Sequence, residues 1–336
     1  MGVAAARPPS ARPRVLFLVT VDTEEEWDWA GPFPSLPCST RNARLIPGFQ
    51  SFCRSIGVRP TYLVDYAMCN DEASAGFLRT ALALGGCEIG AHLHPWCNPP
   101  LEEPLGEETS HAISLDRSLV RRKLRNLTAR IEETLGVRPV SFRAGRWGMT
   151  GWLLQMLGEE GYKVDSSIFP FFKDICFDYA RAPVEPYWPD YADGLASGPQ
   201  RQILEVPVTS GFNRRSFELC GRLHRLLESE PLRHLHGIGI LWRLGILRKV
   251  NASPELNGSP EVLSCIRSHL ERGHGLVNMV LHSSTLLPGG NPFSVSEPDA
   301  GRIQRTIGEA LDFLARRADV LPCTLSEAWD LLAGES

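Results

Sequence analysis

Four carboxylates, Asp22, Glu24, Glu25 and Glu26, follow directly on the seven mostly β-branched or large apolar residues Val15 to Val21. An apolar run without alternation reads as a strand buried on both faces. On an extended backbone, residues two apart point to one side, so Asp22 and Glu24 face the same way. In such a pair one carboxylate can hold a metal while the other takes a proton. The bland alternative is a solvated acidic loop, which is what most charge runs are. His92 and His94 flank Leu93, and on an extended segment both imidazoles share a face and can bind one metal. Pro95 and Trp96 would stiffen and wall that site. A pair of hydrogen-bonded loop histidines is the competing reading. His282 closes another buried-looking run and could protonate a leaving group. Its alternative is a structural histidine on the Ser283-Ser284 turn. Arg143 could pair with Asp22, keep it ionised and orient it, or form an ordinary salt bridge.

The elements that must carry these residues follow from periodicity and stop signals. Helical spacing covers 41–56, 73–84, 115–135, 151–157, 260–271 and 298–317, with Gly57, Gly85-Gly86 and Gly136 as stops. Short apolar strands are expected at 58–64, 87–91, 140–142, 162–164, 203–208, 276–281 and 320–321. Thr324 with Glu327 forms a capping box before a last helix. Strands and helices thus alternate about seven times, the pattern of a mostly parallel α/β barrel or doubly wound sheet. Residues 170–200 are rich in aromatics and prolines and lack periodicity, as functional walls often do. Residues 216–249 read as one or two helices rich in Leu and Arg, either a partner surface or a helix packed on the body. Asp22/Glu24, His92/His94, Arg143 and His282 all fall just after strands, so one barrel mouth gathers them. His111, His224, His234, His236, His269 and His274 lack that placement and read as surface or structural.

The 336 residues suffice for one large α/β domain, and a hydrophobic content of 43% supports a real core. A net charge of −4 gives no signature for nucleic acid. No apolar run approaches the ~20 residues of a membrane span. Residues 1–13, rich in Ala, Pro and Arg, read as a disordered tail before a single domain over 14–334. Nine cysteines without a C-x-x-C pair fit a reduced, cytoplasmic protein.

Taken in order, Thr20-Val21-Asp22-Thr23-Glu24, Glu88-Ile89-Gly90-Ala91-His92, Phe142-Arg143-Ala144-Gly145, Val164-Asp165-Ser166-Ser167 and Val280-Leu281-His282 resemble the polysaccharide deacetylase superfamily (nodulation protein B-like, carbohydrate esterase 4). The His92-Leu93-His94-Pro95-Trp96 segment and the run from His282 to Phe293 resemble its divergent bacterial branch, found among exopolysaccharide and cell-surface glycan genes. The resemblance covers residues 14–330. It implies a distorted (β/α) barrel of about seven parallel strands, with insertions around 170–200 and 215–250. It implies a divalent metal, commonly zinc, and hydrolysis of an N-acetyl or O-acetyl group on a sugar or glycan precursor. By position, Asp22 resembles the base, Glu24 the metal carboxylate, His92 the first metal histidine and His282 the acid. Arg143 matches the arginine that orients the base, and Asp165 the acid that tunes the catalytic histidine. Trp27, Trp96, Arg146 and Trp147 are the candidates to hold the sugar.

Two departures stand out. Thr23 occupies the place of the family's second adjacent aspartate, and the acid moves to Glu24. Trp96 occupies the place of its second metal histidine, and the nearest substitute is His94. The same groups would also serve a metal-dependent amidase acting on a small non-sugar amide. A homologue that binds carbohydrate without catalysis is the third reading.

Overall fold

Every residue from Val15 to Val21 is buried, and alternation decides what each one meets. Val15, Phe17, Val19 and Val21 point outward into the main apolar core. Leu16 and Leu18 point the other way, into a smaller cluster with Leu63, Val164, Leu204 and Leu276. A strand buried on both faces is what a barrel lined inside and covered outside by helices requires. The computed structural model describes residues 12–334 apart from 231, 233, 235, 295 and 296. The tail expected over residues 1–13 therefore lies almost wholly outside the described residues.

The chain runs β1 (Arg14–Thr23), α1 (Ile46–Ser55), β2 (Thr61–Val64), α2 (Tyr66–Asn70), α3 (Glu72–Leu84), β3 (Glu88–Leu93), α4 (Arg117–Leu135), β4 (Ser141–Ala144), α5 (Gly151–Glu159), β5 (Val164–Asp165) and β6 (Leu204–Glu205). There follow β7 (Ser210–Phe212), α6 (Phe217–Glu228), α7 (Gly237–Arg243), β8 (Lys249–Asn251), α8 (Ser259–Glu271), β9 (Leu276–His282), α9 (Glu297–Ala315), β10 (Asp319–Pro322) and α10 (Leu325–Ala333). Eight of these strands form one sheet in the order β10-β1-β2-β3-β4-β5-β6, with β9 on the other edge of β1. All of its pairings are parallel. β10 takes the first half of β1 and β2 the second, so β10 caps one end rather than joining the ring. The ring closes where the chain after β6 meets β9: Thr209 N–H donates to the Asn278 carbonyl (3.1 Å), and Asn278 N–H to Thr209 Oγ1 (2.8 Å). The protein is thus a distorted (β/α) barrel, and seven strands go round it.

Parallel pairing brings all strand ends to one rim. The register sets Asp22 beside His282 and His92 beside Arg143. Residues 170–203 are irregular, as expected, and the strand expected over 203–208 shortens to β6. The segment read as helix to residue 249 ends instead in β8, antiparallel to β7. The Thr324–Glu327 capping box is present.

Gly90 lies on the inward face of β3. A Cβ there would sit 2.6 Å from Leu63 Cδ2 and 2.9 Å from the Ser141 carbonyl. Both neighbours are fully buried. Gly90→Ala is expected to destabilise the fold by about 1–3 kcal/mol through overpacking, read as a lower Tm in thermal denaturation.

Candidate active site

The barrel interior is apolar at the bottom and polar toward the rim. Above Leu16 and Leu18 on β1 come Thr20 and then Asp22, on the same inward face. Asn278 sits level with Thr20, and Thr20 Oγ1 lies 3.1 Å from its Oδ1. Arg143, fully buried, reaches into this layer. Its Nε donates to the Ser166 carbonyl (2.7 Å), and its Nη2 to Thr20 Oγ1 and Ser166 Oγ (both 2.9 Å). Its Nη1 donates to Asp22 Oδ1 in a short ion pair. Asp22 Oδ2 is left facing the rim, 3.8 Å from His282 Nε2.

Glu24, His92 and His94 converge beside Asp22. Glu24 Oε2 lies 3.2 Å from both His92 Nε2 and His94 Nε2. His92 Nδ1 can only donate to its partner, the Arg143 carbonyl, at 3.1 Å. His94 Nδ1 lies 3.0 Å from Glu25 Oε2, and the Trp96 indole N–H donates to the other oxygen of Glu25 at 2.7 Å. With each Nδ1 proton committed, both Nε2 lone pairs aim at a carboxylate oxygen. Three acceptors facing one another in a buried site require a cation, either protons or a metal. The set therefore fits a divalent ion, with two histidines, one carboxylate and a histidine–carboxylate second layer.

The electrostatics agree. Burial alone would raise the Glu24 carboxyl, but His282 and hydrogen bonds from His92 and His94 hold it far below the ordinary range. Burial opposes ionisation of Glu25 too, yet His94 brings it down to about 2. Asp65 lies behind it, where burial and the Glu25 charge push its pKa well up, so Asp65 carries the proton. Burial would lower His94, but Glu25 and Glu24 raise it well above the ordinary histidine value. His282 follows the same logic: burial is outweighed by Glu255, Glu24 and Asp22, and its pKa rises to about 10. Glu255 accepts from His282 Nδ1 at 2.6 Å and from its backbone N–H at 3.0 Å, fixing the ring so that Nε2 faces Asp22.

Glu255 corrects the expectation placed on Asp165. Asp165 sits below the rim, accepts from the Ser167 hydroxyl (2.7 Å) and couples to buried Glu205. Of the charged groups at the rim it feels Arg143, whereas the carboxylate on His282 Nδ1 is Glu255. Glu255 stands in a polar loop before α8, where no spacing singles it out. Glu25 was hidden by alternation, which turns it away from Asp22 and Glu24 and behind His94.

A cleft of about 420 Å³ opens over these groups. Trp27, Trp96, Arg146 and Trp147 all line it, as do Phe293, the end of the run that starts at His282, and Trp29, which nothing in the sequence marked. Trp96 stacks on His94 with centroids 4.1 Å apart, and Trp27 lies 5.9 Å from Trp96. Trp29 meets the edge of His282 at 5.0 Å. Arg146 and Trp147 both have left-handed backbones, φ 59° and 63°. Such strain costs about 1–3 kcal/mol per residue and collects at functional sites. Arg146 spans Glu107 (2.5 Å) and Asp174 (3.5 Å) at the rim. Its guanidinium is thus the cation for those two acids. His111, beside them, is buried and structural.

No protein-family model matches the sequence, and no curated protein does. Solved structures do share the fold. A protein from Mycobacterium smegmatis assigned as a polysaccharide deacetylase is 16% identical, with 99% of this chain and 94% of that one covered and a TM-score of 0.53. A glycoside hydrolase/deacetylase from Parabacteroides distasonis is 13% identical over 97% of this chain and 72% of that one, with a TM-score of 0.59. PuuE allantoinase is 12% identical over 97% and 93%, with a TM-score of 0.51. The chain has the polysaccharide-deacetylase fold, and at these identities the chemistry must be argued from the residues.

Two outcomes follow from the site. Trp96→Phe keeps the stack on His94 but removes the N–H to Glu25. It is expected to weaken divalent-metal affinity by about 10–100-fold, measured by competition with a chelator, and to lower Tm because a buried carboxylate loses a donor. In the metal-free protein an NMR titration should place His282 near 10, and Glu255→Gln should bring it down. The folded value lies above the ordinary 6.5, so the stability this histidine contributes is fully present below pH 6.5 and is lost as the pH rises through about 10.

Proposed function

We propose that this chain is a metal-dependent hydrolase that removes an acetyl group from a sugar or glycan precursor, an N-acetyl group before an O-acetyl one. The observation that carries this reading is the convergence of His92 Nε2 and His94 Nε2 on Glu24 Oε2, beside the facing pair Asp22 and His282. Glu24, His92 and His94 would hold the ion. When bound, a divalent ion lowers the pKa of water and polarises a carbonyl.

The chain's own groups supply the proton transfers. Asp22 has one oxygen fixed by Arg143, and its other oxygen is free to accept a proton from the attacking water. His282 is protonated at neutral pH, and Glu255 holds its Nδ1. Its Nε2 proton is therefore the one available to a departing amine or alkoxide. Trp27 and Trp147 offer flat apolar faces on which a sugar ring can stack, Trp96 backs them from beneath, and Arg146 offers hydrogen-bond donors at the rim. Nine unpaired cysteines support a reducing compartment, the cytoplasm, as the place of work.

The allantoinase among the structural neighbours supports a second reading, hydrolysis of a small non-sugar amide. A panel of acetylated sugars beside small amides separates the two, with acetate release as the readout for the first.

The first test is elemental analysis of the purified protein. About one divalent ion per chain is expected, and loss of it in His92→Ala and His94→Ala. Chelation should abolish acetate release and zinc or another divalent ion should restore it. Asp22→Asn should retain the metal while kcat falls by about 10²–10⁴-fold. A wild-type protein that takes up no metal would move the assignment to a non-catalytic carbohydrate-binding protein.

A further inference from the structure

Residues 214–249 leave the barrel after β7 and return through β8. They carry eight Arg or Lys against three Glu, in a chain whose net charge is −4. The insertion is therefore strongly basic and the remainder of the chain acidic.

Burial divides α6 into two faces. Phe217, Cys220 and Gly221 turn inward. Leu219, Arg222, Leu223 and Leu226 share the opposite face at i, i+3, i+4 and i+7, and all are exposed. α7 reads Gly-Ile-Gly-Ile-Leu-Trp-Arg and buries none of its residues. Ile240 and Leu244 are exposed on one side of it, and Ile246 just beyond. Six of the eleven large apolar side chains exposed among the described residues thus fall in this one stretch. His224 pairs with Glu228 and Arg248 with Glu261, so Arg222, Arg225 and Arg243 have no carboxylate partner among the described residues.

Exposed aliphatic side chains clustered in one stretch, rather than scattered singly, mark an interaction surface. Two partners could cover it, a protein or a bilayer. Protein interfaces favour aromatic side chains, Met and Arg at their centre, and although Arg is present here the apolar side chains exposed are all aliphatic. Leu and Ile interleaved with Arg is the composition of a helix lying in the plane of a bilayer, its aliphatic tips below the headgroups and its cations among anionic phosphates.

We propose that α6 and α7 form a docking surface for membranes that contain anionic lipid. The surface adjoins the cleft. The Phe171 ring packs on Phe212 and Phe217 at the root of the insertion (5.1 and 6.0 Å), and the next residue, Phe172, lines the cleft wall. The inference does not depend on the chemistry proposed for the cleft.

Co-sedimentation of the full chain with vesicles tests it. Binding is expected to vesicles of phosphatidylcholine mixed with phosphatidylglycerol, to weaken with added salt, and to be absent with phosphatidylcholine alone. Leu223→Glu combined with Leu244→Glu should abolish it, and each of Arg222→Ser and Arg225→Ser should weaken it about fivefold. These side chains are exposed, so the variants should keep the wild-type Tm and circular dichroism spectrum. His92→Ala should bind vesicles like the wild type, which separates this inference from the metal site. No binding to anionic vesicles, or equal binding by the Leu223→Glu/Leu244→Glu variant, would overturn the proposal. So would light scattering that shows a wild-type dimer split by the same variant, because the face would then belong to a second copy of the chain.

Discussion

A guanidinium buried on the barrel axis is the constraint to which the rest of the site answers. Arg143 is wholly removed from water, and a charge so placed is tolerated only when its donors are matched. The matching groups come from two separate stretches: Thr20 and Asp22 on β1, and both the carbonyl and hydroxyl of Ser166 after β5. Asn278 on β9 ties the same layer together by donating to Ser166 Oγ at 3.0 Å. Asp22 is the carboxylate the guanidinium touches, and leaving a buried charge without its partner costs about 3–5 kcal/mol. The residue that would take a proton in the reaction thus also compensates the buried guanidinium. An amide at position 22 is for that reason a cleaner probe than alanine.

The histidine arrangement follows from strand geometry. A metal pair four residues apart suits a chain that turns, whereas His92 and His94 share a face because the backbone stays extended past the end of β3. The chain turns at residues 95–97, which sets the side chain at position 96 beside His94 at the cleft. Trp96 uses that place to stack on His94 and to hold Glu25, which holds His94 Nδ1. Asp65 carries a proton there, so the second layer contributes one negative charge rather than two. The tryptophan at position 96 thus supports the histidine at position 94 through both its ring and its N–H.

What could be read from the sequence was whatever strand periodicity controls. Val15 to Val21 announced a two-sided strand, and the same alternation put Asp22 and Glu24 on the inner face. His92, Arg143 and His282 stood at strand ends and met at one rim. Glu255, Trp29 and Phe293 come from loops without periodicity, and only the folded chain brings them to His282. Asp165 was placed by motif order alone. Its neighbour in space is Glu205, forty residues on, and no local pattern links the two. The antiparallel β7–β8 pair was hidden because its strands are three residues long and flank a helical insertion.

Phe171 and Phe172 join the insertion to the cleft through one peptide unit. Phe171 adopts φ 66°, a conformation that a bulky residue takes only under constraint from its surroundings. The turn sends one ring into the core under α6 and the next toward Trp147 and Phe169 at the cleft wall. Relaxing that turn would withdraw one ring or the other from its cluster. Packing in the insertion and the shape of the cleft therefore share one peptide unit, with Phe171 in the cluster under α6 and Phe172 in the cluster at the cleft wall.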